Sequence, residues 1–337
     1  MKQIGIIFLA VCSLFASIKV SGQEIKKVLF IGNSYTYVND LPNTLKDVAA
    51  NEGRELKVSN ITQGGARFQT HCSNETTLNA IASGNYDIMI IQGQSQEVAF
   101  PYNQFYNEVY PYAKQLDSLF KANNPDGRVI YYMTWGYRYG DQINCQFYSP
   151  FCSYWTMSEE LCDNYTTFAE DFDSEVAPCG KAWQLSIGID STIVLHSSDN
   201  SHPTEQGTLL NAYVMYNTIF NDTLVHASDS YLKFIANYTT THNNLGCNLE
   251  NYNINSSIEN VEESSFNVVF LQDNSIMQVD SKAEGEYIVY NLNGKEECRG
   301  KIVSGQQNIN LKCLKLGSYI FYIRSDKGSR SDKFIKL

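Results

Sequence analysis

The sequence predicts an α/β fold with a mostly parallel sheet, followed by a small all-β module. Three observations predict it. Apolar runs of strand length alternate with helix-length segments from Lys26 onward. An Asn- and Ser-rich stretch, "THNNLGCNLENYNINSSIENVEESS", then breaks the periodicity and reads as a linker. Beyond it, closely spaced strand-like runs are joined by NG, SG and KG turns.

Taken in order, the strand candidates of the first part are "KVLFI", "ELKVSNI", "DIMIIQ", "RVIYYMTW" and "STIVLH". Near-continuous apolarity is what a parallel strand needs, because helices cover both faces of such a sheet. Between the runs, a helix opens near Pro42, where a first-turn proline is tolerated, and ends at Gly53. A second spans about Asn74 to Ser83, and a long one about Tyr102 to Ala122. Residues 135–165 are aromatic, cysteine-bearing and irregular, and read as an excursion over one edge of the sheet. Helices from Pro203 or Thr204 to Phe220 and from Ser228 to Tyr238 complete this part. In the module, "FNVVFLQ", "GEYIVYNLNGKEECRG", "QNINLKCL" and "GSYIFYIRSDKGSRSDKFIKL" are the strand-bearing stretches. The division is therefore a leader over 1–22, a first domain over 24–241, a linker over 242–261 and the module over 262–337.

The leader has Lys2, an apolar run from Ile4 to Ala16, and small residues at Ser21 and Gly22, the pattern of a cleaved export signal. Its apolar run is too short for the roughly 20 residues of a membrane-spanning helix, so no transmembrane helix is expected. Without Cys12, eight cysteines remain, an even number that suits disulfides in an exported chain. Cys298 and Cys313 fall on neighbouring strand candidates and can pair within the module, leaving six for the first domain. No paired CxxC occurs and histidines do not accompany the cysteines, so a zinc site is not expected; the serine chemistry read below needs only water and implies no metal or organic cofactor. A net charge of −11 with no Lys/Arg cluster excludes a nucleic-acid partner.

The chemistry is carried by separated strings. Ser34, in "VLFIGNSYTY", lies just past the first strand, and a serine nucleophile needs a base that a third group orients. Of five histidines only His202 has a carboxylate three residues before it, Asp199 in "SSDNSHPTEQG". Both strings follow strand candidates, where ligands gather at the carboxyl end of a parallel sheet. Donors for a tetrahedral oxyanion are Gly64 or Gly65 in "ITQGGARF" and Gln92 or Gln94 in "IIQGQSQE". Trp135, Tyr137, Tyr139 and Trp155 offer faces on which sugar rings stack, or else belong to the core.

Across residues 26–222, "FIGNSYTY", the paired glycines, "QGQS" and "DNSHP" resemble the SGNH or GDSL-like hydrolases, including uncharacterised secreted bacterial members. The resemblance implies a three-layer, flavodoxin-like α/β/α fold, with Ser34 as nucleophile, His202 as base, Asp199 as its orienting partner and the Ser34 N–H as an oxyanion donor. Asn33 departs from the usual Asp. "QGQS" departs from the usual GxND and is similar to the QGES string of the sialate and xylan acetylesterase branch, which implies Gln92 in preference to Gln94. Residues 262–337 resemble the sorting domain of the type IX secretion system of Bacteroidetes, which implies passage through that machinery and attachment at the cell surface. The resulting expectation is a secreted serine esterase acting on an acylated carbohydrate or small ester. A glycan-binding protein without activity and an acyltransferase are the alternatives.

Overall fold

The computed structural model describes residues 25–241, 246–247, 266–271, 275–291, 295–315 and 317–336. The expected leader lies outside the described residues, as does the expected linker apart from Gly246 and Cys247. Among the described residues, no helix is long and apolar enough to cross a membrane.

Five strands form one parallel sheet: β1 (Lys26–Gly32), β2 (Leu56–Thr62), β3 (Ile88–Ile91), β4 (Arg128–Tyr132) and β5 (Glu175–Ala177). Their order is β2-β1-β3-β4-β5, the flavodoxin-like winding. Ten helices accompany them: α1 (Ser34–Tyr37), α2 (Leu41–Asn51), α3 (Phe68–Cys72), α4 (Glu75–Ala82), α5 (Tyr102–Glu108), α6 (Tyr110–Asn123), α7 (Tyr154–Phe172), α8 (Cys179–Ile189), α9 (Glu205–Phe220) and α10 (Ser230–Thr241).

Side chains alternate across a strand, and the two cores follow that alternation. Val28, Phe30, Ile88, Ile90 and Ile130 face α2, α8, α9 and α10, whereas Leu29, Ile31, Met89, Ile91 and Val129 face α4, α6 and α7. All ten are essentially inaccessible, and each contributes about 1.5–3 kcal/mol of burial. Helix α2 shows how the pattern is met: Leu41, Leu45, Val48 and Ala49 fall on one stripe, and Gly53, at φ +73°, closes the turn beyond.

Three expectations change. The single helix over 102–122 is two, α5 and α6, broken at Val109, because Pro111 has no N–H to give the preceding turn and its ring opposes the carbonyl four residues back. The excursion over 135–165 ends earlier, at Ser153, whose hydroxyl caps α7 by accepting from the Thr156 N–H. "STIVLH" is not a strand: β5 takes that edge of the sheet, and residues 191–196 form a turn and extended segment whose one recorded bridge joins His196 to Pro203. Of its apolar residues only Leu195 is buried, Ile193 is half-buried and Val194 is exposed, so the run lacks the two covered faces of an inner strand.

In the C-terminal module, β6 (Phe266–Leu271), β7 (Ile276–Ser281) and β10 (Gly305–Asn310) form one antiparallel sheet. A second comprises β8 (Gly285–Asn291), β9 (Glu296–Ile302), β11 (Gly317–Ser325) and β12 (Gly328–Lys336). They share a core that includes Val279, Val289, Phe321 and Ile323.

Disulfides join Cys145 to Cys152 and Cys162 to Cys247. The expectation of six paired cysteines in the first domain is corrected: Cys72 and Cys179 are free thiols, Cys179 fully buried. Cys298 and Cys313 are also free. Cys313 lies in the turn after β10 rather than on a strand, yet its side chain is within hydrogen-bond reach of Cys298, so the two thiols are neighbours without being joined.

Candidate active site

Strand β1 ends at Gly32, where a Cβ would collide with Thr36 Oγ1 and Gln92 Oε1, so only glycine lets the chain turn there. Asn33 then caps α1, its Oδ1 accepting from the Tyr35 N–H at 3.0 Å. The turn presents Ser34 at the first position of the helix, where its backbone N–H has no intrahelical partner.

His202 reaches it from the loop between α8 and α9. Ser34 Oγ lies 2.7 Å from His202 Nε2, and His202 Nδ1 lies 2.5 Å from Asp199 Oδ2. The loop is held in shape by its own aspartate. Asp199 Oδ1 accepts from the Ser197 hydroxyl at 2.7 Å, the Ser201 N–H at 3.0 Å and the His202 N–H at 2.9 Å. Partial burial works to raise the Asp199 carboxyl pKa, but these bonds and the His202 ring outweigh it and hold the group well below the carboxylate range. Asp199 therefore remains ionised, and its bond fixes Nδ1 of His202 as the protonated nitrogen, leaving Nε2 as the acceptor for the Ser34 hydroxyl. Nδ1 is assigned the proton on this ground.

An aromatic stack supports the imidazole. Trp183 lies against Trp135 at 3.6 Å between ring centroids, Trp135 against Tyr35 at 4.9 Å, and Tyr35 meets His202 edge-on at 5.3 Å. Trp135 Nε1 donates to the Ser201 carbonyl at 3.1 Å, and the Tyr35 hydroxyl bonds Ser201 Oγ at 2.5 Å. Trp135 is thus core, behind the site rather than on its wall.

The remaining candidates separate. Gly64 and Gly65 are exposed in the turn after β2, with Gly65 at φ +69°, and among the described residues neither N–H has a backbone partner. Gln92 is fully buried, and its amide faces inward. Oε1 accepts from the Asn33 N–H at 3.0 Å and the Thr36 hydroxyl at 3.1 Å, while Nε2 donates to the Gly93 carbonyl. It braces the turn under Ser34. Gln94 uses Oε1 on the Gln96 and Glu97 N–H groups.

Two residues that organise these loops were not among the sequence candidates. Asn33 Nδ2 donates to the Ala66 carbonyl at 3.1 Å, tying the β1 turn to the glycine turn. Glu97, buried, takes Arg67 Nε at 2.5 Å on one oxygen and the Phe68 and Gln94 N–H groups on the other, joining the loops after β2 and β3. Burial pushes the Glu97 carboxyl up, and these donors pull against it. A Glu three residues after Gln94 of the "GQS" turn is the available signal, since such spacing lets a carboxylate take the Gln94 N–H.

Two other histidines are structural. His71 Nε2 donates to the Gly32 carbonyl at 3.0 Å beneath the β1 turn, and burial lowers its pKa. His196 Nε2 donates to the Gly136 carbonyl at 2.9 Å, and burial lowers its pKa to about 4. Both rings are neutral at pH 7.

No protein-family profile and no curated protein matches the chain. Solved structures do. A DUF4886 family protein from Bacteroides uniformis is 15% identical over 68% of this chain and 99% of its own, with a TM-score of 0.55. A lipase/acylhydrolase from Enterococcus faecalis (14% identity, 60% and 100% coverage, TM-score 0.43) and a psychrotrophic esterase from Pseudoalteromonas (15%, 58% and 97%, TM-score 0.42) overlay less well. The chain thus shares the fold of the Bacteroides uniformis protein, and on it carries serine, histidine and aspartate in hydrogen-bonded series.

Proposed function

We propose that the protein is an exported serine esterase that removes O-acetyl or similar acyl groups from polysaccharides. The observation that supports it most is the continuous Ser34–His202–Asp199 series, 2.7 Å and then 2.5 Å, made by residues 168 apart in the sequence.

In this reading Ser34 Oγ attacks the ester carbonyl as its proton passes to His202 Nε2. The imidazolium so formed is stabilised by Asp199. The tetrahedral oxyanion is received by the Ser34 N–H and by Gly64 or Gly65. Gln92 is left out, because its Nε2 is directed to the Gly93 carbonyl; Gln94 is the side-chain amide left to assist. Collapse breaks the ester C–O bond, the sugar oxygen takes the proton from His202, and the acyl group stays on Ser34. Water then attacks, giving its proton to His202, and release of the carboxylic acid restores the Ser34 hydroxyl. Export through residues 1–22 and a type IX route through residues 262–337 complete the proposal, with disulfides suited to such a compartment.

Hydrolysis of p-nitrophenyl acetate and of acetylated xylan is the test. Acetate release that disappears in Ser34→Ala supports the reading, and equal background rates in both proteins reject it. A binding protein without turnover is the second reading, favoured by the engagement of the Gln92 amide, which leaves fewer oxyanion donors than the usual GxND block provides.

A further inference from the structure

The structure contains a cavity of about 210 Å³ between the segment after β4, the start of α7 and the segment after α8. Its lining is largely apolar, with Ile187, Ile193, Val194 and Leu195 beside aromatic rings and one cation. Tyr139 and Trp155 supply aromatic surface, and Tyr139 is 60% exposed at the mouth. Arg138 supplies a cation, its guanidinium carbon 5.5 Å from the Tyr139 ring centroid. Among the described residues no carboxylate is paired with Arg138, in a chain whose net charge is −11. His196 also lines the cavity, its ring fixed by the bond from Nε2 to the Gly136 carbonyl at 2.9 Å.

The cavity is tied to the catalytic loop. The Arg138 N–H donates to the Asn200 carbonyl at 2.9 Å, between Asp199 and His202, and the His196–Pro203 bridge closes the base of that loop. A ring held here is therefore fixed relative to the imidazole.

We propose that this cavity is a subsite for a uronic acid residue, a sugar carrying a carboxylate, next along a polysaccharide from the sugar whose ester meets Ser34. The inference rests on the esterase reading for its purpose, and on the cavity alone for its chemistry. The volume suits one pyranose ring, an aromatic face packs against the ring's apolar C–H face, and a guanidinium without a carboxylate partner among the described residues takes one in paired hydrogen bonds. A neutral sugar would gain the stacking but leave the cation unmatched.

The test uses the full chain with acetylated oligogalacturonide as the anionic probe, acetylated xylo-oligosaccharide as the neutral one, and p-nitrophenyl acetate as a control for folding and chemistry. In Arg138→Gln, kcat/KM for the anionic probe should fall about tenfold, through KM, with the other two substrates unchanged. Arg138→Lys should recover part of the loss. Trp155→Ala should weaken both glycans and leave the small ester alone. Equal losses on the anionic and neutral glycans in Arg138→Gln, or none on either, overturn the subsite. Calorimetry of the two glycans on Ser34→Ala keeps the question separate from catalysis. Preference for oligogalacturonide that Arg138→Gln removes supports the subsite even where the wild type hydrolyses nothing, and absence of that preference rejects it even where esterase activity is present.

Discussion

Asn33 donates its side-chain amide to the carbonyl of Ala66 at 3.1 Å while its own oxygen caps the helix that starts with Ser34. One residue thereby joins the nucleophile's turn to the turn carrying Gly64 and Gly65, and only a side chain with both a donor and an acceptor does this. An ionised aspartate here keeps the cap and sets a carboxylate oxygen against a carbonyl. Asn33→Asp should therefore lose about 1–3 kcal/mol of stability, read by urea unfolding. Activity should fall with it, although Asp is common before the serine in the hydrolases this chain resembles. Unchanged stability would show that the amide contact is dispensable.

Removing the hydroxyl or the imidazole should be far more costly to rate than to stability. Ser34→Ala and His202→Ala should each lower kcat by at least about 10³-fold. Asp199→Asn should also lose activity, since an amide oxygen cannot stabilise the imidazolium as the carboxylate does. Near-wild-type thermal unfolding of the serine variant would show that the loss is chemical.

Arg67 and Glu97 form a link between two loops, with the carboxylate buried and the guanidinium 36% exposed. Arg67→Ala leaves a buried carboxyl with only backbone donors, at a cost of about 1–3 kcal/mol after allowing for solvent screening at the arginine. The glycine turn should loosen as well, so kcat should fall more than KM rises.

Stability should depend on pH through His196 and His71. Both have folded-state pKa values below the ordinary value near 6.5, so the unfolded chain binds more protons between that value and the folded one. Stability is complete above about pH 6.5 and is lost as the pH falls toward 4, by about 2 kcal/mol at pH 5 from His196 alone. Urea unfolding at pH 7 and pH 5 checks the sign, and His196→Gln should flatten the slope.

The two disulfides should differ in worth. Cys162–Cys247 closes a separation of 85 residues and Cys145–Cys152 one of 7. Chain entropy assigns the first about 4–5 kcal/mol and the second roughly 2. Paired Cys→Ser replacements followed by calorimetry should rank them in that order.

The parallel sheet was legible because buried parallel strands are written as unbroken apolar runs, as in "KVLFI" and "DIMIIQ", but such runs do not state the order in which the strands lie. The fifth strand was not: Glu175–Ala177 is three residues long, below any periodicity, while the apolar "STIVLH" is a turn and extended segment in which only Leu195 of the three aliphatic residues is buried. For the same reason Asp199 and His202 follow a helix and an extended loop instead of a strand, yet the loop still delivers them to Ser34. Spacing could suggest the DxxH pair, because its hydrogen bonds are local. It could not reveal that Gln92 faces inward or that Asn33 meets Ala66, contacts that depend on how separate loops close on each other.

The column of rings from Trp183 through Trp135 to Tyr35 ends edge-on against the imidazole of His202. Two of the three tryptophans in the chain belong to it, so much of the protein's ultraviolet emission originates within two rings of His202. If the proposed esterase chemistry holds, charging of that imidazole, or displacement of its loop by an acyl group on Ser34, should perturb those fluorophores. Stopped-flow emission with no dye attached would then report on the proposed acyl-enzyme.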